Sequence, residues 1–137
     1  MIFWQVMVLK GERKFSAKRL TSAFKYAFQG IRYAASSEKN FRIHIVSALI
    51  VIIVSTLLKI NQVEWLFILI SIFGVMALEL VNSALERAVD LATQEIQPLA
   101  KQAKDLAAAA VLVYAAMAVI IGIVILGPKL INLFITN

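Results

Sequence analysis

Three stretches of this chain are too long and too apolar to be held in water. The first runs from about Phe41 to Leu58, with His44 but no carboxylate inside it. The second starts near Trp65, is apolar through Leu78 and continues with polar groups to about Ala92. The third is continuously apolar from Leu106 and ends at Gly127–Pro128. Crossing roughly 30 Å of hydrocarbon takes about 20 residues of helix, so each stretch suffices. Backbone polar groups inside lipid must be satisfied within the segment, which makes each stretch a helix. Composition agrees: 61% of residues are hydrophobic and 16% charged, against roughly 45–50% and about 25% for soluble domains.

The segment before these spans has a different pattern. Leu20, Phe24, Ala27, Phe28, Ile31 and Ala35 recur at helical spacing, with Lys18, Arg19, Lys25 and Arg32 on the polar side. That predicts an amphipathic helix lying on an anionic membrane surface. The whole chain of 137 residues reads as one all-α integral membrane domain. Its surface helix is expected at about 16–37 and its spans at about 39–59, 63–92 and 98–126. Met1–Leu9 is apolar, but its charges follow it, so it reads as a lead-in segment and not as a signal peptide. Trp4 and Trp65 read as interface anchors.

Charge sets the expected topology. Nine of the fourteen basic residues lie at or before Arg42, which places the surface helix in the cytoplasm. The loop at Lys59 is then outside, the connection at 93–97 inside and the C-terminus outside. The net charge of +6 reads as membrane orientation, not nucleic-acid binding, because the basic residues do not interleave with aromatics on a soluble face. With no cysteine, disulfides and thiolate metal sites are excluded.

The second span carries the chemistry. Glu79, Asn82, Ser83, Glu86 and Asp90 fall on one helical face, opposite Leu78, Leu80, Val81, Leu85, Ala88 and Val89. Glu79 directly follows the apolar run, where a carboxylate is costly unless it is paired, protonated or bound to a cation. Glu38 and Asp105 are expected at the same membrane depth. Hard oxygens gathered this way suit Mg²⁺. Lys101 and Lys104, nearly one turn apart, are expected to face that site and meet phosphate charge. Three helices of one chain cannot easily bury this stripe, so a neighbouring subunit is expected to cover it. His44 alone reads as structural or interfacial. Glycine-rich phosphate loops and the protein-kinase catalytic loop are missing from the sequence. Residue types and spacing therefore reach an acidic interfacial site in a membrane protein. They leave open a small proton-coupled transporter that uses the intramembrane Glu79, or a helper subunit without chemistry.

The run Glu79-Leu-Val-Asn82-Ser83-Ala84-Leu85-Glu86-Arg87-Ala88-Val89-Asp90 resembles the signature of the prokaryotic diacylglycerol kinase and undecaprenol kinase family. Gly30-Ile-Arg32, Glu38-Lys-Asn-Phe41-Arg42 and Lys104-Asp105-Leu-Ala-Ala-Ala-Ala110-Val111 support the match, which covers about 23–125. The resemblance implies a homotrimer of three-span subunits in the bacterial plasma membrane. It also implies MgATP-dependent phosphorylation of a lipid hydroxyl at the cytoplasmic face. Carried over by motif, Glu79 is the catalytic acid–base residue and Asn82 orients the site. Glu38 and Glu86 resemble the metal-binding carboxylates. Lys104 would contact ATP phosphates, while Asp90, Glu95 and Asp105 match positions lining the nucleotide site. Arg19 and Tyr26 are nucleotide contacts on the same grounds. Phe41-Arg42-Ile43-His44 is similar to the Gram-positive-type branch, in which undecaprenol is a common substrate; diacylglycerol stands beside it.

Overall fold

The structure is a computed structural model that describes residues 17–135 apart from 94 and 96. Among the described residues the elements are four helices: α1 (Ala17–Ser37), α2 (Lys39–Leu57), α3 (Gln62–Ala92) and α4 (Pro98–Ile135). The chain divides into two compact units, 1–32 and 33–137. In the first unit, Leu20, Phe24, Phe28 and Ile31 are all exposed, as an amphipathic helix facing lipid requires. The lead-in Met1–Leu9 and Trp4 lie outside the described residues.

The second unit is an all-α membrane fold. Its helices α2, α3 and α4 are each long and apolar enough to cross a membrane. At 31 residues, α3 is about 46 Å long, so it outruns the hydrocarbon and its last turns emerge among headgroups. Burial is inverted relative to a soluble protein. Val81, Ile70 and Phe73 are exposed, whereas Ser71, Glu79, Asn82 and Ser83 are buried. Lipid replaces water as solvent, so the apolar groups turn outward and the polar ones turn toward other helices.

The turn between α2 and α3 is closely specified. Lys59 takes φ 49°. Ile60 N–H bonds to the Ser55 carbonyl and Lys59 N–H to the Thr56 carbonyl, at 3.3 and 3.2 Å. This is a Schellman closure, with Lys59 in the left-handed position that glycine more often fills. Asn61 then caps α3. Its Oδ1 accepts from Glu64 N–H at 3.0 Å, while Glu64 Oε2 accepts from Asn61 N–H at 2.7 Å, a reciprocal capping box. Lys129 on α4 reaches the same Glu64 oxygen at 3.2 Å. Beneath this turn Ile60, Ile68 and Leu126 form a buried cluster, with Trp65 packed against it. Trp65 is therefore partly a core residue and not simply an interface anchor.

At Gly74 of α3 the side chain of Tyr114 from α4 lies against the backbone. A Cβ there would lie 2.2 Å from the Tyr114 ring, whose hydroxyl donates to the Ile70 carbonyl at 3.2 Å. Small residues let membrane helices meet in this way.

Two expectations need correction here. The third span does not end at Gly127–Pro128, because α4 runs through Pro128 to Ile135. In water proline is a strong stop signal, but an apolar surround penalises a broken backbone more, and membrane helices tolerate proline. The polar stripe of α3 also needs no neighbour along its first turns: Glu79 and Asn82 are only 3% and 6% exposed within the single chain. Further along, Glu86 is half-buried and Asp90 is exposed.

Candidate functional site

The buried end of the α3 stripe meets the start of α2. Glu38 is the N-cap residue of α2, with φ −95° and ψ 117°. From it the helix presents Asn40 and His44, four residues apart and so on one face. Asn40, His44, Glu86 and Glu38 are the polar neighbours of the Glu79 carboxylate. Glu38 and Glu86 thus lie within electrostatic reach of the Glu79 carboxylate. Phe41, 1% exposed, fixes the first turn of α2 beside them.

Asn82, three residues beyond Glu79, bonds Glu86 along α3. Its Nδ2 donates to Glu86 Oε1 at 3.0 Å. Its Oδ1 is buried with no hydrogen-bond partner. A buried amide oxygen without a donor is costly, and this one is open to accept from a ligand. The local donor set is carboxylate and amide oxygen, with one imidazole nearby. Among the described residues no group of three or more His, Asp or Glu side chains is arranged to hold a metal by itself. Carboxylate and amide oxygens are hard donors of the kind Mg²⁺ takes together with substrate phosphate.

Arg87 supplies the positive charge. Its Nη2 donates to Glu38 Oε1 and its Nη1 to the Ser83 carbonyl at 3.0 Å. Its guanidinium lies 4.8 Å from the centre of the Tyr33 ring.

The lysines divide differently from the expectation. Lys104 reaches across from α4 to Asp90 of α3 at 2.5 Å, one turn beyond Glu86. Lys101 instead bonds Asp105, four residues along its own helix, also at 2.5 Å. The two lysines do not share a site within the chain, because each has an acid within easier reach. Asp105 is 61% exposed and paired with Lys101, apart from the Glu79 group. Glu95 is exposed in the α3–α4 connection, its N–H bonded to Thr93 Oγ1 at 3.2 Å. Arg19 and Tyr26 are exposed on α1 in the first unit.

Of the residues singled out in the sequence, the fold sets Glu38 and Glu86 near Glu79 and bonds Asn82 to Glu86. His44, read as structural or interfacial, also lies near Glu79, while Asn40, Arg87 and Tyr33 were not singled out. The i,i+4 spacing of Asn40 and His44, two polar groups on the face of an otherwise apolar span, was the available signal.

Residues 25–126 match the family described as prokaryotic diacylglycerol kinase. An undecaprenol kinase of Bacillus subtilis (strain 168) is 44% identical over 112 residues, 82% of this chain and 91% of the relative. A diacylglycerol kinase of Synechocystis sp. is 42% identical over 120 residues, 87% of this chain and 69% of the relative. The diacylglycerol kinase of Escherichia coli (strain K12) is 33% identical over 102 residues, 74% and 84% of the two chains.

Proposed function

The chain belongs to the prokaryotic diacylglycerol kinase family and is a lipid kinase; from that premise we propose that it moves the γ-phosphoryl group of ATP to the primary hydroxyl of undecaprenol or diacylglycerol at the cytoplasmic face of the bacterial plasma membrane. The transporter reading is set aside by the family. One observation carries the site assignment. Glu79 is buried among Asn40, His44, Glu38 and Glu86, one helical turn from an unpartnered Asn82 oxygen.

In this mechanism Glu79 accepts the hydroxyl proton as the lipid oxygen attacks the γ-phosphorus. The bond between that phosphorus and the β,γ-bridging oxygen breaks, and ADP leaves. Proton transfer by a positioned carboxylate contributes about 10²–10⁴-fold to such a step. Glu38, Glu86 and Asn82 Oδ1 are the hard oxygens that would hold Mg²⁺. When bound, Mg²⁺ neutralises charge on the β- and γ-phosphates. Lys104, held at Asp90, turns its ammonium to the phosphates once nucleotide is present. Asp90, Asp105 and Glu95 border the nucleotide; these roles rest on the family motif. A homotrimer covers Glu86 and Asp90, which the single chain leaves partly or fully open.

The excess of basic residues before α2 supports a cytoplasmic site. ATP then arrives from the cytosol while the lipid chains stay in the bilayer. The Phe41–His44 run and the 44% identical relative favour undecaprenol over diacylglycerol. The test is a γ-labelled ATP assay on the full chain in detergent, with each lipid offered separately. Label is expected in the lipid extract with undecaprenol and, more slowly, with diacylglycerol. Label in neither would overturn the proposal, and faster labelling of diacylglycerol would reverse the lipid preference.

A further inference from the structure

We propose that Arg87 is a positioning residue for the phosphoryl-transfer site, acting through Glu38. The inference rests on the reading of Glu38 as a cation ligand.

Arg87 is held on three sides. Two in-plane N–H groups donate, one to Glu38 Oε1 and one to the Ser83 carbonyl, while a face of the guanidinium stacks on Tyr33. A planar fork with a stacking face is what arginine offers and lysine does not. The three partners come from the last turns of α1, the α1–α2 junction and α3 itself. Arg87 therefore fixes the junction against the helix that carries Glu79.

Glu38 is the other half of the argument. At an N-cap, a short acidic side chain commonly bonds the helix's own free N–H groups. The Glu38 side chain makes no such bond; it is turned to Arg87. The pair uses Oε1, so Oε2 can serve a cation. Stability is a weak reason for this arrangement, because ion pairs with side chains 44% and 24% exposed contribute little. Charge is a better one. Glu38, Glu79 and Glu86 repel one another as neighbours, and one guanidinium offsets one of the three. Three carboxylates and one guanidinium leave a formal −2, which a single divalent cation would balance. A partner that orients a metal-binding carboxylate typically changes metal affinity by about 10–100-fold.

The experiment measures binding without turnover. The full chain in detergent is titrated with Mn²⁺ and a non-hydrolysable ATP analogue, and bound Mn²⁺ is read by electron paramagnetic resonance. Glu38→Gln and Arg87→Gln should each weaken Mn²⁺–nucleotide binding about tenfold. The double variant should be no weaker than Glu38→Gln alone. Arg87→Lys should recover only part of the loss. In turnover, Arg87→Gln should raise KM for MgATP and leave kcat within about twofold.

Should Arg87→Gln not survive extraction, Tyr33→Leu carries the test from an exposed ring, with an expected loss of about two- to fivefold. Wild-type binding by Arg87→Gln or Tyr33→Leu, beside a weakened Glu38→Gln, would overturn the inference and leave Glu38 a ligand. Additive losses in the double variant would overturn it too, since Arg87 would then act on the phosphates directly. Wild-type binding by Glu38→Gln would remove Glu38 from the metal, and this inference with it.

Discussion

At the turn joining α2 to α3, a Schellman closure, a capping box and the Glu64–Lys129 pair close the chain above a cluster of Ile60, Ile68 and Leu126. At the opposite end of the same two helices, Glu38, Glu79 and Glu86 are neighbours, and Asn82 Oδ1 is buried without a partner. Apart from Ser55 Oγ, which is also buried and unpartnered, polar groups at the first end answer one another. At the second end an acidic group and an unpartnered amide oxygen stand together, an arrangement that is costly in a low-dielectric surround. Helix pairing in lipid gains little from the hydrophobic effect, so local closures carry the fold at one end. The other end is free to carry chemistry.

Substitutions at the two ends should therefore separate activity from stability. The largest effect below the loss of Glu79 itself is expected at Glu86. Glu86→Gln should raise the Mg²⁺ concentration for half-maximal activity by about 10–100-fold, with the melting temperature in detergent little changed. An unchanged Mg²⁺ titration would remove Glu86 from the metal. Between the two ends, Gly74→Ala pushes a methyl into the Tyr114 ring. Overpacking of that kind should cost about 1–2 kcal/mol, read as a lower thermal midpoint with KM for ATP unaltered. The smallest effect is expected at the quiet end. Lys129→Gln should cost about 0.5 kcal/mol or less, as a partly exposed ion pair does, and leave lipid phosphorylation at wild-type rates. A large activity loss there would break the division between the ends.

Much of this division was legible in the sequence. The offsets of Glu79, Asn82, Ser83, Glu86 and Asp90 put them on one face whatever the packing, because helical periodicity is local. The three spans followed from length and apolarity alone. What was not legible depends on how helices meet. Arg87 and Glu38 are 49 residues apart, and no periodicity links them. Lys101 and Lys104 looked equivalent until the crossing of α4 over α3 gave Asp90 to Lys104 alone. The burial of Glu79 and Asn82 within one chain was missed because their spacing shows a shared face but not what lies opposite. Pro128 misled because stop signals are rules for helices in water.

The most direct test of the account compares the two ends in one assay. Wild type, Glu79→Gln and Glu64→Gln are purified in the same detergent, and transfer of γ-labelled phosphate to undecaprenol is measured at saturating MgATP. The account predicts that Glu79→Gln elutes as wild type on size exclusion but loses about 10²–10⁴-fold in rate, while Glu64→Gln keeps its rate. Lipid labelled by Glu79→Gln as fast as by wild type would contradict it.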